Sequence, residues 1–245
     1  MADEDLFVEG AACNLAQKLT NAPIWDERPL TMVKPFRDHI RRMGWQELCC
    51  PSPRLGNMRL IQEFFANLPF AQGSLVYVRG RQVDISPDSI NHIFQIQNLD
   101  AETLYTRVFE QSLNYADLSA TLLRNNQVLT ANSQEIEHSS LTDEAWTWHL
   151  FIKARLMLQL EEPKITMEQL HLIYAILRGY TVNPGQLIHN ALMNSVPALW
   201  QRPTLFFPSI IYKLCAQAGV EVEAIPSSLV LEAITPSIRL RREYN

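Results

Sequence analysis

Apolar residues recur along this chain at two different periods. From Pro29 to Met43, Leu30, Val33, Phe36 and Ile40 fall at three- and four-residue steps, predicting an amphipathic helix whose regular part starts at Pro35 and stops at Gly44. The Pro-punctuated stretch CCPSPRLGN reads as a turn. Leu60, Ile61, Phe64, Phe65 and Leu68 then predict a second helix from about Met58 to Leu68. Here the period shortens to two. Val76 and Val78 alternate with Tyr77, and Val83 and Ile85 with Asp84, so SLVYVRGRQVDIS predicts a β-hairpin near residues 75–85 turning at Arg79-Gly80-Arg81. Ser86-Pro87-Asp88 supplies an N-cap, a first-turn proline and a first-turn acid for a short helix through Ile90, Ile93 and Phe94. Further helices are predicted from Asp100 along Leu104, Val108 and Phe109, and from Tyr115 to Leu123.

Residues 125–140 turn polar, rich in Asn, Gln, Ser and Glu, and are expected to form a long loop or the boundary between two lobes. The helix signals beyond them are stronger. Thr142-Asp143-Glu144 caps a helix carrying Trp146, His149, Leu150, Ile152 and Leu156. Thr166-Met167-Glu168-Gln169 is a capping box ahead of Leu170, Ile173, Ile176 and Leu177, with Gly179 as the stop. Asn183-Pro184 opens the helix of Leu187, Ile188, Ala191 and Leu192, and Pro208-Ser209 the one of Ile211, Leu214 and Cys215. The fold class that follows is mainly α: a compact multi-helix domain with one small β-hairpin.

Composition agrees with this reading. Of 245 residues, 47% are hydrophobic, enough for a proper core, and only 8 are Gly, which disfavours a turn-rich β architecture. The 14 prolines fall mostly between apolar segments. A formal net charge of −5 gives no whole-molecule attraction to nucleic acid or anionic membrane. No apolar run approaches the ~20 residues of a membrane span, and the acidic opening MADEDLFVEG lacks the basic and apolar regions of a signal peptide. The four cysteines, Cys13, Cys49, Cys50 and Cys215, match neither a disulfide framework nor a zinc pattern. A reducing intracellular setting, nucleus or cytoplasm, is expected.

Several blocks, read in order, resemble the plant transposon protein domain, a family of plant retroelement- and transposon-related proteins. They are WDERPL at 25–30, GWQEL at 44–48, LIQEFFANL at 60–68, VYVRGRQVDISPDSIN at 76–91, AWTWHLFIKARL at 145–156, LIYAILRGYTVNPGQLI at 172–188 and LFFPSIIYKLCAQAGV at 205–220. This chain departs from the family pattern at Met157-Leu158, in the polar stretch 125–140 and at Asn183-Pro184-Gly185. The resemblance implies a helical domain at 25–220, between an acidic segment at 1–24 and a tail at 221–245. It carries over no catalytic or ligand residues.

Sequence fingerprints for chemistry are missing: there is no phosphate-binding G-x-x-x-x-G-K-[ST] or G-x-G-x-x-G, no G-x-S-x-G and no H-E-x-x-H. Cys49 and Cys50 are adjacent, so their side chains diverge, and no His lies at a ligand-like spacing. The six histidines are scattered, although His149 and His171 fall on core-rich helices. A transposon origin raises the idea of a three-carboxylate, two-metal nuclease. The one strand acid, however, is Asp84, and the other acids mostly sit in first helical turns, where they favour the helix dipole. No enzyme, metal or cofactor is therefore expected.

Basic residues offer the alternative. Arg79 and Arg81 flank Gly80 at the hairpin tip, Arg37, Arg41 and Arg42 cluster on the first helix, and Arg239, Arg241 and Arg242 lie near the end of the chain. A protruding Arg-Gly-Arg can touch phosphates without reading bases; equally, charges at a hairpin keep an exposed strand edge from pairing. Trp146 and Trp148 cannot share one helix face, which puts one of them at an edge or interface. The expected function is thus a non-enzymatic, mobile-element-derived interaction domain that binds protein or itself. The alternatives are a nucleic-acid-binding accessory domain contacting through Arg79, Arg81, Arg37 and Arg41, and a degenerate transposase or nuclease fragment. No membrane and no small-molecule substrate are expected as partners.

Overall fold

The computed structural model describes residues 12, 14–24, 34–49, 58–96, 114–125, 127–157, 164–201 and 203–222. The helix expected from Asp100, the block at 25–30, Cys13, Cys50, nearly all of the tail and its Arg239-Arg242 cluster lie outside the described residues. The chain divides into two compact units: 1–29, 44–97 and 185–233 make one, and 30–43, 98–184 and 234–245 the other. Residues 125–140 fall inside the second. Among the described residues, both units are mainly helical and each holds one two-stranded antiparallel sheet.

The first unit contains a helical stretch at 14–19, α2 (Gln46–Cys49), α3 (Met58–Asn67), β1 (Leu75–Val78), β2 (Arg81–Asp84), α4 (Pro87–Ile93), all but the first residue of α8 (Pro184–Leu199), and α9 (Pro208–Gln217). A 3-10 turn, Leu68–Phe70, ends α3 one residue earlier than the periodicity suggests, because Pro69 removes an amide that the helix would need. The apolar side of α3 (Leu60, Ile61, Phe64 and Phe65) is wholly buried, as are Val76, Val78 and Val83 on the inner face of the hairpin. Burying a side chain of this size stabilises a fold by about 1.5–3 kcal/mol, so this layer is a main source of the unit's stability. α9 packs against α3, α4 and β2.

Two features of this unit come from close backbone approach. The amide of Gly185 donates to Oδ1 of the fully buried Asn91 at 2.9 Å. A Cβ at position 185 would lie 2.2 Å from the Pro87 carbonyl oxygen, so only glycine fits there. Phe207, buried at the N-cap of α9, adopts a left-handed conformation with φ 52° and ψ 43°. Such a conformation costs a bulky residue about 1–3 kcal/mol, which burial of its ring offsets.

The second unit holds α1 (Lys34–Met43), α5 (Tyr115–Leu122), β3 (Glu135–Glu137), α6 (Asp143–Arg155), β4 (Lys164–Thr166) and α7 (Met167–Leu177). Its core is aromatic. Phe36 of α1 lies 4.7 Å from Trp148 and 5.7 Å from Phe151 of α6, ring centre to ring centre. Trp148 is buried and Trp146 only partly so, consistent with their opposite positions on the helix. Thr142 caps α6, its hydroxyl accepting from the amide of Ala145, and Thr166 with Gln169 forms the capping box of α7.

The polar stretch 125–140, expected as a long loop or a boundary between lobes, holds regular structure. Glu135–Glu137 form β3, which pairs with β4 in the register Glu135↔Thr166, Ile136↔Ile165 and Glu137↔Lys164, and a 3-10 turn follows at His138–Ser140. The stretch is pinned further by Leu129, which is buried and whose amide donates to Ser119 Oγ at 2.8 Å. The described residues thus hold two small sheets where one hairpin was expected.

Candidate functional site

The hairpin of the first unit is where the sequence placed its best contact. A two-residue loop, Arg79-Gly80, joins β1 to β2, and both residues have positive φ (46° and 75°), as a type I′ turn requires. Arg81 is therefore a strand residue paired with Val78 and not part of the turn. A left-handed arginine is strained, and its own contacts compensate. Its amide donates to Glu63 Oε1 at 2.7 Å, its Nε lies 3.8 Å from Glu63 Oε2, and Nη1 donates to the Glu221 carbonyl at 2.7 Å. Arg79 is thus committed to α3 and to the chain leaving α9.

The outer face of the hairpin differs from the inner one. Tyr77 stands 59% exposed between the buried Val76 and Val78. Its carbonyl accepts from Asn67 Nδ2 at 2.7 Å, which ties β1 to the end of α3. Alternation with Val76 and Val78 puts Tyr77 on the opposite face, and the structure leaves its aromatic ring uncovered there.

Asp84 performs local work. It accepts from the Ser86 amide at 2.8 Å, the Ser86 hydroxyl at 3.0 Å and the Ser89 hydroxyl at 2.6 Å. Partial burial works against ionisation, but the hydrogen bonds from Ser89 and Ser86, helped by the nearby His189, hold its carboxyl below the usual range. His189 in turn donates from Nδ1 to the Ile85 carbonyl at 2.8 Å. Cys215 is buried on α9, and burial, with Glu63 adding and Arg79 opposing, pushes its thiol up to about 12. Such a thiol is inert at neutral pH. Cys49 is also buried.

In the second unit Arg37, Arg41 and Arg42 are exposed on α1, Arg37 and Arg41 one turn apart. The four arginines singled out from sequence therefore separate into two pairs, one in each unit. His39 of α1 meets Trp148 edge-on at 5.6 Å, and burial together with Arg42 lowers its pKa against the opposing effect of Glu144.

Sequence reading missed a polar cluster between α5 and α7. Asp117 accepts from the Tyr174 hydroxyl and from Arg178, whose guanidinium lies 5.5 Å over the Tyr174 ring. The Tyr174 and Arg178 contacts hold the Asp117 carboxyl low against desolvation, while burial and Asp117 raise the Tyr174 phenol. No local spacing could reveal partners 57 and 61 residues apart. His149 is 4% exposed, stacked on Trp146 at 5.4 Å, with Trp146 also 5.4 Å from His138. Burial, with Lys153 and His138 nearby, lowers the His149 pKa to about 4, so the ring is neutral.

Among the described residues, no group of three or more His, Cys, Asp or Glu could hold a metal ion, and no helix is long and apolar enough to cross a membrane. The three-carboxylate constellation therefore has no counterpart among them. An open depression of about 290 Å³ lies over the helical stretch at 14–19 and α3, lined in part by Ala16, Ala66, Arg59 and Glu63.

What the fold and its surfaces define is a mainly helical domain carrying two small antiparallel sheets. Residues 41–221 match the family described as "Putative plant retrotransposon-related domain". The chain belongs to this plant retrotransposon-related family. No curated protein and no solved structure matches it.

Proposed function

We propose that this domain is a non-enzymatic interaction module that binds another protein or itself. The observation that carries the proposal is Tyr77: a large aromatic side chain stands exposed on the outer face of a hairpin whose inner valines, Val76, Val78 and Val83, are fully buried. Aromatic side chains of this kind are enriched at protein interfaces, where they supply contact area at low conformational cost. The ionisable groups of its own hairpin support the same reading. Arg79 is occupied by Glu63 and Glu221, and Asp84 by Ser86 and Ser89. Each serves the fold, leaving none poised for acid–base work.

Sedimentation velocity over a concentration range, together with chemical cross-linking, tests this. Self-association or a cross-linked partner that is lost in Tyr77→Ser, with the melting temperature preserved, is the expected result. A second reading has one observation in its favour: Arg37 and Arg41 lie exposed one turn apart on α1, a spacing that suits phosphate contact. Fluorescence anisotropy against double-stranded DNA, single-stranded DNA and RNA at two salt concentrations decides between them. Binding that falls steeply with salt and disappears in Arg37→Ala/Arg41→Ala replaces the protein-interaction reading.

A further inference from the structure

Among the described residues, the two edges of the first unit's hairpin differ in how far their backbone groups are used. Ile85 donates to the Ser74 carbonyl at 2.8 Å, which makes Ser74 and Ile85 a hydrogen-bonded pair. Pairs along an antiparallel ladder alternate, so Val76 with Val83 and Val78 with Arg81 are also hydrogen-bonded, and Leu75 with Asp84 and Tyr77 with Gln82 are not. The backbone groups of Leu75, Tyr77, Gln82 and Asp84 consequently point away from the ladder. On the β1 side three of the four are used: Leu75 exchanges both bonds with Gln72, and the Tyr77 carbonyl accepts from Asn67. On the β2 side, the N–H and C=O of the exposed Gln82 and the half-buried Asp84 make no hydrogen bond within the described residues. Beside them Arg81 is exposed, with no ion pair or hydrogen bond there either.

We propose that the outer edge of β2 is a docking edge for an extended segment of another protein that alternates acidic and apolar residues. The proposal rests on the interaction reading above and names its surface and partner. Strand addition supplies both an acceptor for the Gln82 N–H and a donor for its C=O, whereas a nucleic-acid phosphate offers acceptors only. Because side chains alternate between faces, a partner residue opposite Arg81 lies on the face that Arg81 shares with Val78, where an acidic group complements a guanidinium that has no ion pair among the described residues. The residue opposite Gln82 lies on the Tyr77 face, where an apolar side chain meets the exposed ring. A second copy fits less well. Pairing β2 symmetrically about Gln82 brings two Arg81 side chains to the same face of the joined sheet, with like charges as diagonal neighbours.

The test uses the whole chain and a fluorescein-labelled eight-residue peptide of alternating Val and Glu, read by anisotropy. The expected result is binding about ten-fold tighter than for the corresponding Val-Lys peptide, with the preference inverted by Arg81→Glu. N-methylating every second amide of the Val-Glu peptide is expected to abolish binding, and this arm needs no protein variant. Gln82→Pro removes an amide that the β1–β2 ladder does not use, and is expected to weaken binding about ten-fold or more. Absence of peptide binding, or binding indifferent to N-methylation and to Gln82→Pro, overturns the proposal. A dimer that dissociates in Gln82→Pro overturns it in favour of a second copy. DNA that displaces the peptide and is itself lost on Arg81→Glu overturns it in favour of phosphate contact. A partner cross-linked equally well by Gln82→Pro removes this edge but leaves the interaction reading standing.

Discussion

Each unit carries one two-stranded sheet, and the two are used in opposite ways. β1–β2 is a structural layer: Val76, Val78 and Val83 are fully buried, and α3 packs against β1. β3–β4 is a strap on the surface. Glu135 and Glu137 are exposed, Ile136 is half-buried, and an exposed ion pair between Lys164 and Glu135 at 3.3 Å spans its end. Only Ile165 of this pair is fully buried. A ladder of backbone hydrogen bonds contributes little net stability by itself, so a strand's worth depends on what its inner face covers.

The widest test of this contrast pairs Phe64→Ala, beneath the first sheet, with Ile136→Ala in the second. Chemical denaturation is expected to show a loss of about 3–5 kcal/mol for the first and under ~1 kcal/mol for the second. Comparable losses would break the distinction.

Acid should separate the units next. The His149 pKa is lowered to about 4 from 6.5, so the unfolded chain takes up a proton that the folded one refuses. This group imposes no penalty above pH 6.5. Its cost grows as pH falls through the window between the two values and levels off below 4, reaching about 3 kcal/mol at 1.36 kcal/mol per pH unit. His149→Phe should flatten the dependence of the denaturation midpoint in that window. Asp84 and Asp117, whose carboxyls are held low, add a distinct loss at pH below about 4, because their hydrogen-bonded ionised forms stabilise the fold above it.

Smaller effects probe the hairpin's surroundings. Gly185→Ala forces a Cβ against Pro87 and Asn91 and is expected to cost about 1–3 kcal/mol in thermal or chemical unfolding. Ser86→Ala removes the cap of α4 and a donor to Asp84, for a loss of about 1 kcal/mol. Lys164→Ala, which breaks the strap's exposed ion pair, should move the midpoint by less than ~1 kcal/mol, and less again in high salt.

Much of the fold was legible because its signals are local. Helix periodicity, the Thr166–Gln169 capping box, the Ser86 cap and the alternation of valines around Arg79-Gly80 all act within a few residues, so reading them requires no knowledge of the rest of the chain. The strap was not legible. EIE at 135–137 has no apolar alternation of its own, and becomes a strand only because KIT at 164–166 is brought alongside it. The arginines at the hairpin show the same limit at a functional surface. Arg79 sits in the turn as Arg79-Gly80-Arg81 suggested, but Arg81 is already a strand residue, and the different fates of the two were not readable. Arg79 is taken by Glu63 and Glu221, 16 and 142 residues away, while Arg81 has no such partner among the described residues.

By itself, then, the sequence determined most of the described helices, several of their caps and the hairpin, since each follows from backbone preference and side-chain period over short range. Tertiary structure alone decided which polar groups are consumed by the fold and which remain available. That choice depends on long-range pairs such as Arg79 with Glu221 and Asp117 with Arg178, formed only once packing has met the entropic cost of bringing distant segments together.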